Sequence, residues 1–309
     1  MTKKKQKLRA GFVAIVGRPN VGKSTLLNRV LGEKVAIVTP RPQTTRTRIL
    51  GVWNGEGAQI AFFDTPGLHK AKGVLNRRMV EVALSTLPEV DAVLFLVEAG
   101  TSPEGKVDIG ETTRWAAAEV AKRGKPAILG INKMDRAPRA TLLPVMDAYK
   151  DLHGWAEMVP FSALDGENVD ELLKVLAAHL PESDHLLFPK DMLTDQAERT
   201  LVAEYIREQV MLQTRDEIPY SCAIEIEEFD ESQRTDRGGL VRISARIFVE
   251  RETQKGIVIG KGGLMLKKIG TQARHHMERL LGCKVFLALN VKVEERWSER
   301  PKSLEKLGL

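Results

Sequence analysis

The residues Gly17-Arg18-Pro19-Asn20-Val21-Gly22-Lys23-Ser24 fit the pattern G-x-x-x-x-G-K-[ST]. They follow an apolar run at 12–16 and open an amphipathic stretch at 23–31, which predicts a strand, a tight loop and a helix. In such a loop, backbone N–H groups and the helix N-terminus face the phosphates of a nucleotide. Lys23 should reach the β- and γ-phosphates, and Ser24 should ligate Mg²⁺. The sequence therefore predicts a phosphate-binding loop in an α/β fold.

Strand and helix patterns alternate around this loop up to residue 180. Short runs rich in Val, Ile and Leu are typical of parallel strands that helices cover on both faces. The predicted strands are 12–16, 49–53, 59–63, 92–97, 127–131 and 158–161, and the helical patterns include 23–31, 107–122 and 169–180. A turn at 54–57 should join the second and third strands as an antiparallel hairpin. We expect a mostly parallel six-stranded sheet in a domain at 10–180.

A second, smaller domain is predicted after a linker. Residues 181–194 are polar and begin with a proline, which indicates a linker. The patterns that follow are a helix at 195–213, strands at 221–227 and 239–251, a helix at 264–281 and a strand at 284–293. This order predicts an α+β domain at 195–297.

The composition indicates a globular chain with hydrophobic cores and predicts no membrane-spanning helix. Of 309 residues, 43% are hydrophobic and 28% are charged. No apolar run approaches the roughly 20 residues that would cross a bilayer, and the basic segment at 1–10 has no apolar stretch behind it that would make a signal peptide. Cys222 and Cys283 are too few for a disulfide framework, so we expect core residues in a reducing cytoplasm.

The charge is concentrated in one window of the chain. The net charge is +6, and residues 255–292 hold eight basic residues against one acidic residue. A localised basic window is typical of an anion-binding face, although a solvated basic helix would give the same pattern.

A second motif, Asp64-Thr65-Pro66-Gly67, follows the strand pattern at 59–63. A carboxylate at the end of that strand can hold Mg²⁺ near the phosphate loop. Gly67 can offer its backbone N–H to the γ-phosphate and move when that phosphate is lost. The D-x-x-G pattern is weak alone, and its position after this strand makes it informative.

Two further loops, Asn132-Lys133-Met134-Asp135 and Ser162-Ala163-Leu164, each follow a strand pattern and identify the base. The Asp135 carboxylate can accept hydrogen bonds from guanine N1–H and the amino group, whereas adenine would leave it unmatched. Asn132 is expected to bond N7 and tie loops together, and the stem of Lys133 to lie along the base. Residues 162–164 should contact the base carbonyl. The nucleotide is therefore predicted to be GTP.

These four motifs, in this order, resemble those of Ras-type GTPases of the translation-factor-related class. The resemblance implies that a threonine in Pro42-Gln43-Thr44-Thr45-Arg46 senses Mg²⁺ and the γ-phosphate as the first switch. We favour Thr45 over Thr44, and an ordinary loop is the plainer alternative. The expected metal ligands are Ser24, Thr45 and Asp64. The expected GTP contacts are Gly17, Asn20, Val21, Gly22, Lys23, Ser24, Thr25, Asp64, Gly67, Asn132, Lys133, Asp135, Ser162, Ala163 and Leu164.

One position departs from the Ras-type pattern. Ras-like enzymes carry a glutamine directly after the D-x-x-G glycine, where it orients the attacking water, and here that residue is Leu68. Hydrolysis should then be slow and depend on charge and backbone positioning. In related GTPases with a G-R-P-N-x-G-K-S loop the asparagine ligates K⁺, so Asn20 either does the same or only shapes the loop. Arg18 is expected to face solvent. The expected catalytic set is Lys23, Asn20, Thr45 and Gly67.

The segment Gly260-Lys261-Gly262-Gly263 matches the G-x-x-G loop of a KH domain. Its glycines let a nucleotide backbone come close, Lys261 can pair with a phosphate, and nearby apolar side chains can floor a groove for about four unpaired bases. The α-β-β-α-β order and the basic window favour the type II KH fold over a helix cap in a docking module. The expected RNA contacts are Ile257, Ile259, Gly260, Lys261, Gly262, Gly263, Lys267 and Lys268, with His275 and His276 at the surface.

A Ras-like GTPase domain followed by a type II KH domain resembles the bacterial Era family over residues 12–297, and residues 42–46 and 256–263 carry the match. The resemblance implies a monomeric GTPase that uses GTP/GDP and Mg²⁺ and binds 16S-type small-subunit ribosomal RNA near its 3′ end. It also implies a role in assembling the small ribosomal subunit, and a cytoplasmic protein with peripheral contact to the inner membrane.

Three other classes fit less well. A membrane-trafficking GTPase would be expected to carry a lipidation motif, and neither terminus of the sequence offers one. A tRNA-modification GTPase would need a further catalytic centre, for which the cysteines lack partners. An RNA-binding scaffold with an inactive GTPase core is excluded by Lys23, Ser24 and Asp64.

Overall fold

The computed structural model describes residues 7–100, 107–235 and 238–309, and these form two compact units. The first unit takes in the described residues up to Ala36, with Thr45–Ala71 and Arg78–Asp195, and the second takes in Ile37–Thr44, Lys72–Arg77 and Gln196–Leu309. The basic segment at 1–6 lies outside the described residues. The boundary between the units therefore crosses the segment predicted as the first switch, between Thr44 and Thr45.

The N-terminal part of the chain forms a mostly parallel sheet connected by helices, as the sequence predicts. Its strands are β1 (Leu8–Gly17), β2 (Ile49–Gly55), β3 (Ala58–Asp64), β4 (Ala92–Glu98), β5 (Ala127–Asn132), β6 (Glu157–Pro160) and β7 (Glu182–Ser183). Its helices are α1 (Lys23–Leu31), α2 (Val74–Thr86), α3 (Gly110–Ala121), α4 (Leu142–Lys150) and α5 (Val169–Ala178). The strand order is β2-β3-β1-β4-β5-β6, and the two-residue β7 adds to β1. The hairpin between β2 and β3 is antiparallel, as expected.

The sheet is buried on both faces, which explains the continuous apolar runs. In β1, Val13 and Ile15 belong to the core on one face, and Ala14 and Val16 belong to the core on the other. All four side chains are inaccessible to solvent. A central strand of this kind fixes the position of the loop that leaves its carboxyl end, because sliding it by one residue would exchange the two cores.

Residues 181–194, predicted as a linker, pack along the first unit. The Gln59 side chain accepts a hydrogen bond from the Phe188 N–H at 3.0 Å and donates one to the Phe188 carbonyl at 2.9 Å. The Val52 N–H of the edge strand β2 donates to the Leu193 carbonyl at 2.8 Å. An edge strand leaves backbone groups that a polar segment can satisfy. The segment is therefore part of the first unit, which continues to Asp195.

The second unit contains the predicted smaller α+β domain. Its elements are α6 (Glu198–Gln213), α7 (Ile218–Ser221), β8 (Ala223–Thr235), β9 (Gly238–Val249), α8 (Glu252–Ile259), α9 (Leu264–Leu281), β10 (Lys284–Val293) and α10 (Pro301–Lys306). The sheet has the order β10-β9-β8, with β9 parallel to β10 and antiparallel to β8. The helices α6 and α9 share one core with this sheet. The G-x-x-G loop connects α8 to α9 and is exposed at Lys261 and Gly262.

The helix α8 is absent from the sequence-based prediction. Its residues include Gly256 and a β-branched run, Ile257 to Ile259, which have low helix propensity. Tertiary contacts hold it instead: Val258 is completely buried, and Gln254 Oε1 accepts the N–H of Glu250 at 2.8 Å. The element order is therefore helical on both sides of the G-x-x-G loop.

The segment Ile37–Thr44 is a constituent of the second unit. Ile37 is buried in that unit's core. The Val38 N–H donates to Glu208 Oε1 at 3.0 Å, and the Arg207 guanidinium donates to the Thr44 carbonyl. Both α6 side chains are almost fully buried, so each charge needs such a partner. The chain just before Thr45 is thus held by α6.

The second unit also extends past residue 297, where the sequence-based domain ends. Trp297 is completely buried and donates from its indole to the Ser221 carbonyl at 2.9 Å. Leu304 of α10 is buried as well. Cys222 and Cys283 are buried in this unit's core and form no disulfide, which confirms them as core residues. Within the described residues, no helix is long and apolar enough to cross a membrane.

Candidate nucleotide site and nucleic-acid interface

The phosphate loop between β1 and α1 has a conformation that requires glycine. Gly22 has φ of +102°, and a Cβ atom there would lie 2.1 Å from Asn132 Nδ2. Lys23 is only 6% exposed. Its Nζ donates to the Arg18 carbonyl at 3.0 Å and to the Gly17 carbonyl at 3.4 Å. The ammonium group therefore lies over the loop, where phosphate oxygens can take the place of these carbonyls.

Three predicted metal ligands come together beside Lys23. Ser24 Oγ lies 2.6 Å from Asp64 Oδ2 and 2.9 Å from Thr45 Oγ1. Asp64 Oδ1 is buried and has no hydrogen-bond partner in the described part of the chain. The Thr44 hydroxyl instead meets the Thr39 hydroxyl at 2.7 Å. Two hydroxyls and an incompletely satisfied carboxylate form an oxygen set that fits Mg²⁺.

Burial perturbs the two charged groups of this site in opposite directions. It raises the pKa of Asp64 to about 6, although the Lys23 charge and the hydroxyls of Ser24 and Thr45 oppose the shift. Burial lowers the pKa of Lys23 to about 8, although the Asp64 charge opposes it. Near pH 7, between these two pKa values, both groups are mostly charged, so the site holds a carboxylate for a cation and an ammonium for phosphates.

The raised pKa of Asp64 predicts a pH dependence of Mg²⁺-dependent nucleotide binding. A carboxyl that holds its proton cannot ligate a metal, so affinity should change little near pH 7 and fall below pH 6, with a slope that approaches roughly tenfold per pH unit. Titration with a fluorescent GTP analogue from pH 8 to 5, with Mg²⁺ and with EDTA, measures it. This fall in GTP affinity at low pH should be absent in EDTA and in Asp64→Asn. Affinity that stays constant with Mg²⁺ down to pH 5 would contradict the prediction.

The Asp64-Thr65-Pro66-Gly67 segment is held against the phosphate loop. The Thr65 hydroxyl donates to the Ile15 carbonyl of β1 at 2.8 Å. A Cβ atom on Gly67 would lie 2.7 Å from the Pro19 nitrogen. Any side chain at this position would push the segment away from the loop. The backbone of Gly67 is therefore held against the phosphate loop by packing.

The two base loops are cross-linked by side chains. Asn132 Nδ2 donates to the Val21 carbonyl at 2.7 Å, and its Oδ1 accepts the Ala163 N–H at 2.9 Å. Asp135 Oδ1 accepts a hydrogen bond from Ser162 Oγ at 2.7 Å. Asn132 thus ties the phosphate loop to the loop at 162–164, as predicted. Ser162 fixes Asp135 Oδ1, and Asp135 Oδ2 lies 3.7 Å from the guanidinium of Arg136, whose side chain is 70% exposed.

The remaining predicted contacts lie around these loops. Lys133 has φ of +67° and pairs with Glu98 at 2.5 Å, which sets the direction of its stem. Leu164 is 55% exposed, and its carbonyl accepts from Arg29. Thr25 follows Ser24 in the first turn of α1 and is half-buried. The loop residues lie at the carboxyl ends of β1, β3, β5 and β6, where an open α/β sheet binds its ligand.

The G-x-x-G loop in the second unit has the open backbone that a KH loop needs. Gly260, Gly262 and Gly263 have φ of +73°, +59° and +78°. A Cβ atom on Gly260 would lie 2.6 Å from the Met265 Cβ atom, whereas Gly262 and Gly263 face open space. Lys261 is exposed beside them. Gly260 is therefore needed for packing, and the next two glycines leave room for a nucleotide backbone.

A groove of about 470 Å³ runs from this loop between α9 and β10. Its lining combines an apolar floor with basic groups at the rim: Gly263, Leu266, Lys267, Gly270, Thr271, Arg274, Phe286, Leu287 and Leu289. A Cβ atom on Gly270 would lie 3.3 Å from Leu289, so the missing side chain keeps the groove open. Phe286 is 54% exposed, which offers a ring face for stacking a base.

The groove differs in part from the predicted RNA contacts. Gly263 and Lys267 line it, whereas Ile257 and Ile259 lie on α8 and Lys268 is exposed beside it. Arg274 and Phe286 line the groove but are absent from the RNA contacts predicted from the sequence. The signal for the α9 residues is a helical spacing from Gly263 through 266, 267, 270, 271 and 274, with a glycine in mid-helix. His275 is exposed as expected.

His276 corrects the expectation of a surface residue. Its side chain is only 32% exposed and lies 3.9 Å from the Glu208 carboxylate. Its ring also contacts Tyr205, with 5.6 Å between centroids. The reason is that α9 packs on α6, so the face of α9 that carries His276 is turned toward that helix.

Comparison with known proteins agrees with a division into a nucleotide-binding unit and a KH-like unit. The family described as 50S ribosome-binding GTPase matches residues 12–133, and the KH domain family matches residues 217–298. The GTPase Era of Geobacter metallireducens is 52% identical over 97% of both chains. The GTPase Era of Heliobacterium modesticaldum is 46% identical over 98% of both chains.

Two solved structures match almost the whole chain. One is Era in complex with MgGDPNP and nucleotides 1506–1542 of 16S ribosomal RNA, with a TM-score of 0.90 and 43% identity over 97% of this chain and 99% of that chain. The other is an Aquifex aeolicus Era variant bound to GDP·AlF4⁻, with a TM-score of 0.88 and 42% identity over the same shares. From its sequence, its two units and these full-length matches, the chain belongs to the Era family of GTPases.

Proposed function

We propose that this protein binds and hydrolyses GTP in the first unit and holds single-stranded RNA in the groove of the second. The RNA is the small-subunit ribosomal RNA near its 3′ end, and the protein assists assembly of that subunit. One observation carries the GTP half: the Asp135 carboxylate is fixed through Ser162 Oγ at 2.7 Å, with Lys23, Ser24 and Asp64 grouped in the same unit. The relative with TM-score 0.90 was solved with MgGDPNP and 16S ribosomal RNA nucleotides.

The arrangement of the first unit supports hydrolysis as well as binding. Lys23 supplies positive charge where the β- and γ-phosphates belong, and Ser24, Thr45 and Asp64 supply oxygen ligands for Mg²⁺. Mg²⁺ would neutralise charge that develops on the transferring phosphoryl group. The Gly67 N–H belongs to a segment packed against the phosphate loop and would bond the γ-phosphate.

The second unit supports binding of unpaired rather than duplex RNA. Its groove has an apolar floor with an exposed Phe286, which suits splayed bases that stack on a ring. Lys267 and Arg274 lie at the same groove, and the open Gly262-Gly263 backbone precedes it. A duplex would keep its base faces stacked and could not use this floor.

Base specificity provides the test of the GTP half. Asp135→Asn replaces a carboxylate that accepts from guanine N1–H and the amino group with an amide that can donate. The loss of a charge-assisted pair predicts a fall in GTP affinity on the order of 100-fold and a gain for XTP. Competition among GTP, ATP and XTP for both proteins measures it. Equal GTP affinity in the variant and the wild type would remove the role assigned to Asp135.

We also propose that a K⁺ ion bound by Asn20 accelerates hydrolysis. Asn20 lies in the phosphate loop with φ of +66° and is exposed, and the loop carries the G-R-P-N-x-G-K-S pattern of GTPases that use K⁺. Arg18 is exposed in the same loop, as expected.

Exchange of K⁺ for Na⁺ tests the potassium proposal. Wild-type hydrolysis should be several-fold faster in KCl than in NaCl, and Asn20→Ala should remove the difference with little change in GTP affinity. Single-turnover rates in both salts at constant ionic strength measure it. Equal wild-type rates in the two salts would end the proposal.

A further inference from the structure

The residue that directly follows Gly67 cannot help the attacking water. Leu68 is completely buried and belongs to the core on one face of the sheet. Its N–H donates to the Gly17 carbonyl at 2.9 Å, which holds the backbone against the phosphate loop. The side chain is therefore turned into the core, away from any solvent that could reach a γ-phosphate. Hydrolysis still requires a group that orients the nucleophile.

His69 presents an unused acceptor beside the same segment. Its Nδ1 lies 2.7 Å from the Gly67 carbonyl oxygen. A carbonyl can only accept, so Nδ1 carries the hydrogen, and in the neutral ring Nε2 keeps a lone pair. Nε2 is buried, and the residues that the structure describes provide it with no hydrogen-bond partner. A buried acceptor without a partner calls for a bound water or ligand group.

The hydrogen bond to Gly67 also places this acceptor. Gly67 packs so closely on Pro19 of the phosphate loop that a Cβ atom would lie 2.7 Å from the Pro19 nitrogen. The ring is therefore held by the carbonyl of the same residue whose N–H is expected to bond the γ-phosphate.

We propose that His69 is a catalytic residue for GTP hydrolysis, whose Nε2 accepts a hydrogen bond from the attacking water. The inference rests on the proposed hydrolysis of GTP and assigns to His69 the task that Leu68 cannot perform. The water oxygen forms a bond to the γ-phosphorus while the bond to the β,γ-bridging oxygen breaks. GDP leaves with that electron pair, and the proton of the water passes to the inorganic phosphate. His69 ends the reaction in the protonation state in which it began.

Three substitutions at His69 distinguish the role of Nδ1 from the role of Nε2. His69→Asn keeps a donor in the place of Nδ1, so it can still hold the Gly67 carbonyl, and it lacks the distal acceptor. His69→Gln can place an acceptor where Nε2 lies, and His69→Ala has neither group. We expect His69→Ala and His69→Asn to lower single-turnover hydrolysis on the order of 100-fold. His69→Gln should retain substantially more activity.

Binding of nucleotides distinguishes catalysis from a structural role. In the variants, GDP and GTP affinities should stay within about twofold of wild type, and the melting temperature within a few degrees. The affinity for GDP·AlF4⁻ should fall in parallel with the rate, because this ligand resembles the transition state and His69 is expected to act only there. Wild-type rates in His69→Asn, or GDP affinity that falls as much as the rate, would overturn the inference. A wild-type protein that binds GTP without hydrolysing it would instead refute the proposed function, and the inference with it.

Discussion

Replacing Lys23 with alanine should lower GTP affinity on the order of 1000-fold and abolish measurable turnover. The ammonium group is the buried cation over the phosphate loop, with Nζ at 3.0 Å from the Arg18 carbonyl. Charge-assisted hydrogen bonds to two phosphates contribute about 4 kcal/mol together when each is worth about 2 kcal/mol. The loss also leaves the buried Asp64 without its cation, which opposes its ionisation and hence Mg²⁺ binding.

Isothermal titration with GTP and GDP measures this effect. Lys174→Ala is the matched control, because Lys174 lies on α5 with its side chain 75% exposed and pairs only at the surface with Glu171. The control should bind as wild type does, since exposed pairs of this kind contribute little. If Lys23→Ala, shown to be folded, binds GTP within threefold of wild type, the phosphate site has been placed wrongly.

Introducing aspartate at Gly262 should lower affinity for single-stranded RNA on the order of 100-fold while leaving GTP affinity unchanged. Gly262 faces open space at φ of +59°, a region that Asp and Asn tolerate better than other side chains. The substitution therefore fits the fold and places a negative charge where a phosphate is expected to lie. Gly260 is unsuitable for the same test, because a Cβ atom there would meet Met265 at 2.6 Å.

Gly282→Asp provides the matched control for this substitution. Gly282 has φ of +65°, and a Cβ atom there also meets nothing within 4 Å. It carries the same strain and the same charge at the opposite end of α9, away from the G-x-x-G loop. Filter binding at two salt concentrations should show wild-type RNA affinity for Gly282→Asp and a loss for Gly262→Asp. Equal affinities for the two variants would show that the loop does not hold the RNA backbone.

The nucleotide site was predictable because its chemistry is local in the sequence. Each motif follows a buried strand, and parallel strands bring their carboxyl ends to one edge of the sheet. The contact between Ser24 and Asp64 at 2.6 Å follows from that rule. A switch threonine is expected from the resemblance, and Thr45 is preferred over Thr44 because it precedes Arg46. The structure places the Thr45 hydroxyl with Ser24 and that of Thr44 with Thr39.

The features that the sequence did not predict depend on contacts between distant parts of the chain. The helix α8 forms despite Gly256 because Val258 is buried and Gln254 caps its first turn. The role of β10 in the groove depends on its parallel pairing with β9, which no local pattern reveals. The division of the first switch between two units depends on Arg207 and Glu208, more than 160 residues away in the chain.

Ultraviolet crosslinking of the GTP-bound protein to total cellular RNA tests the central claim most directly, because it reports the RNA and the protein surface together. Sequencing of the crosslinked RNA should show reads concentrated near the 3′ end of the small-subunit ribosomal RNA. Mass spectrometry should place the crosslinked peptides at Gly260 to Arg274 and around Phe286 of the groove. Reads spread over unrelated RNAs, or crosslinks confined to the nucleotide-binding unit, would contradict a protein that joins a GTP switch to a clamp for single-stranded ribosomal RNA.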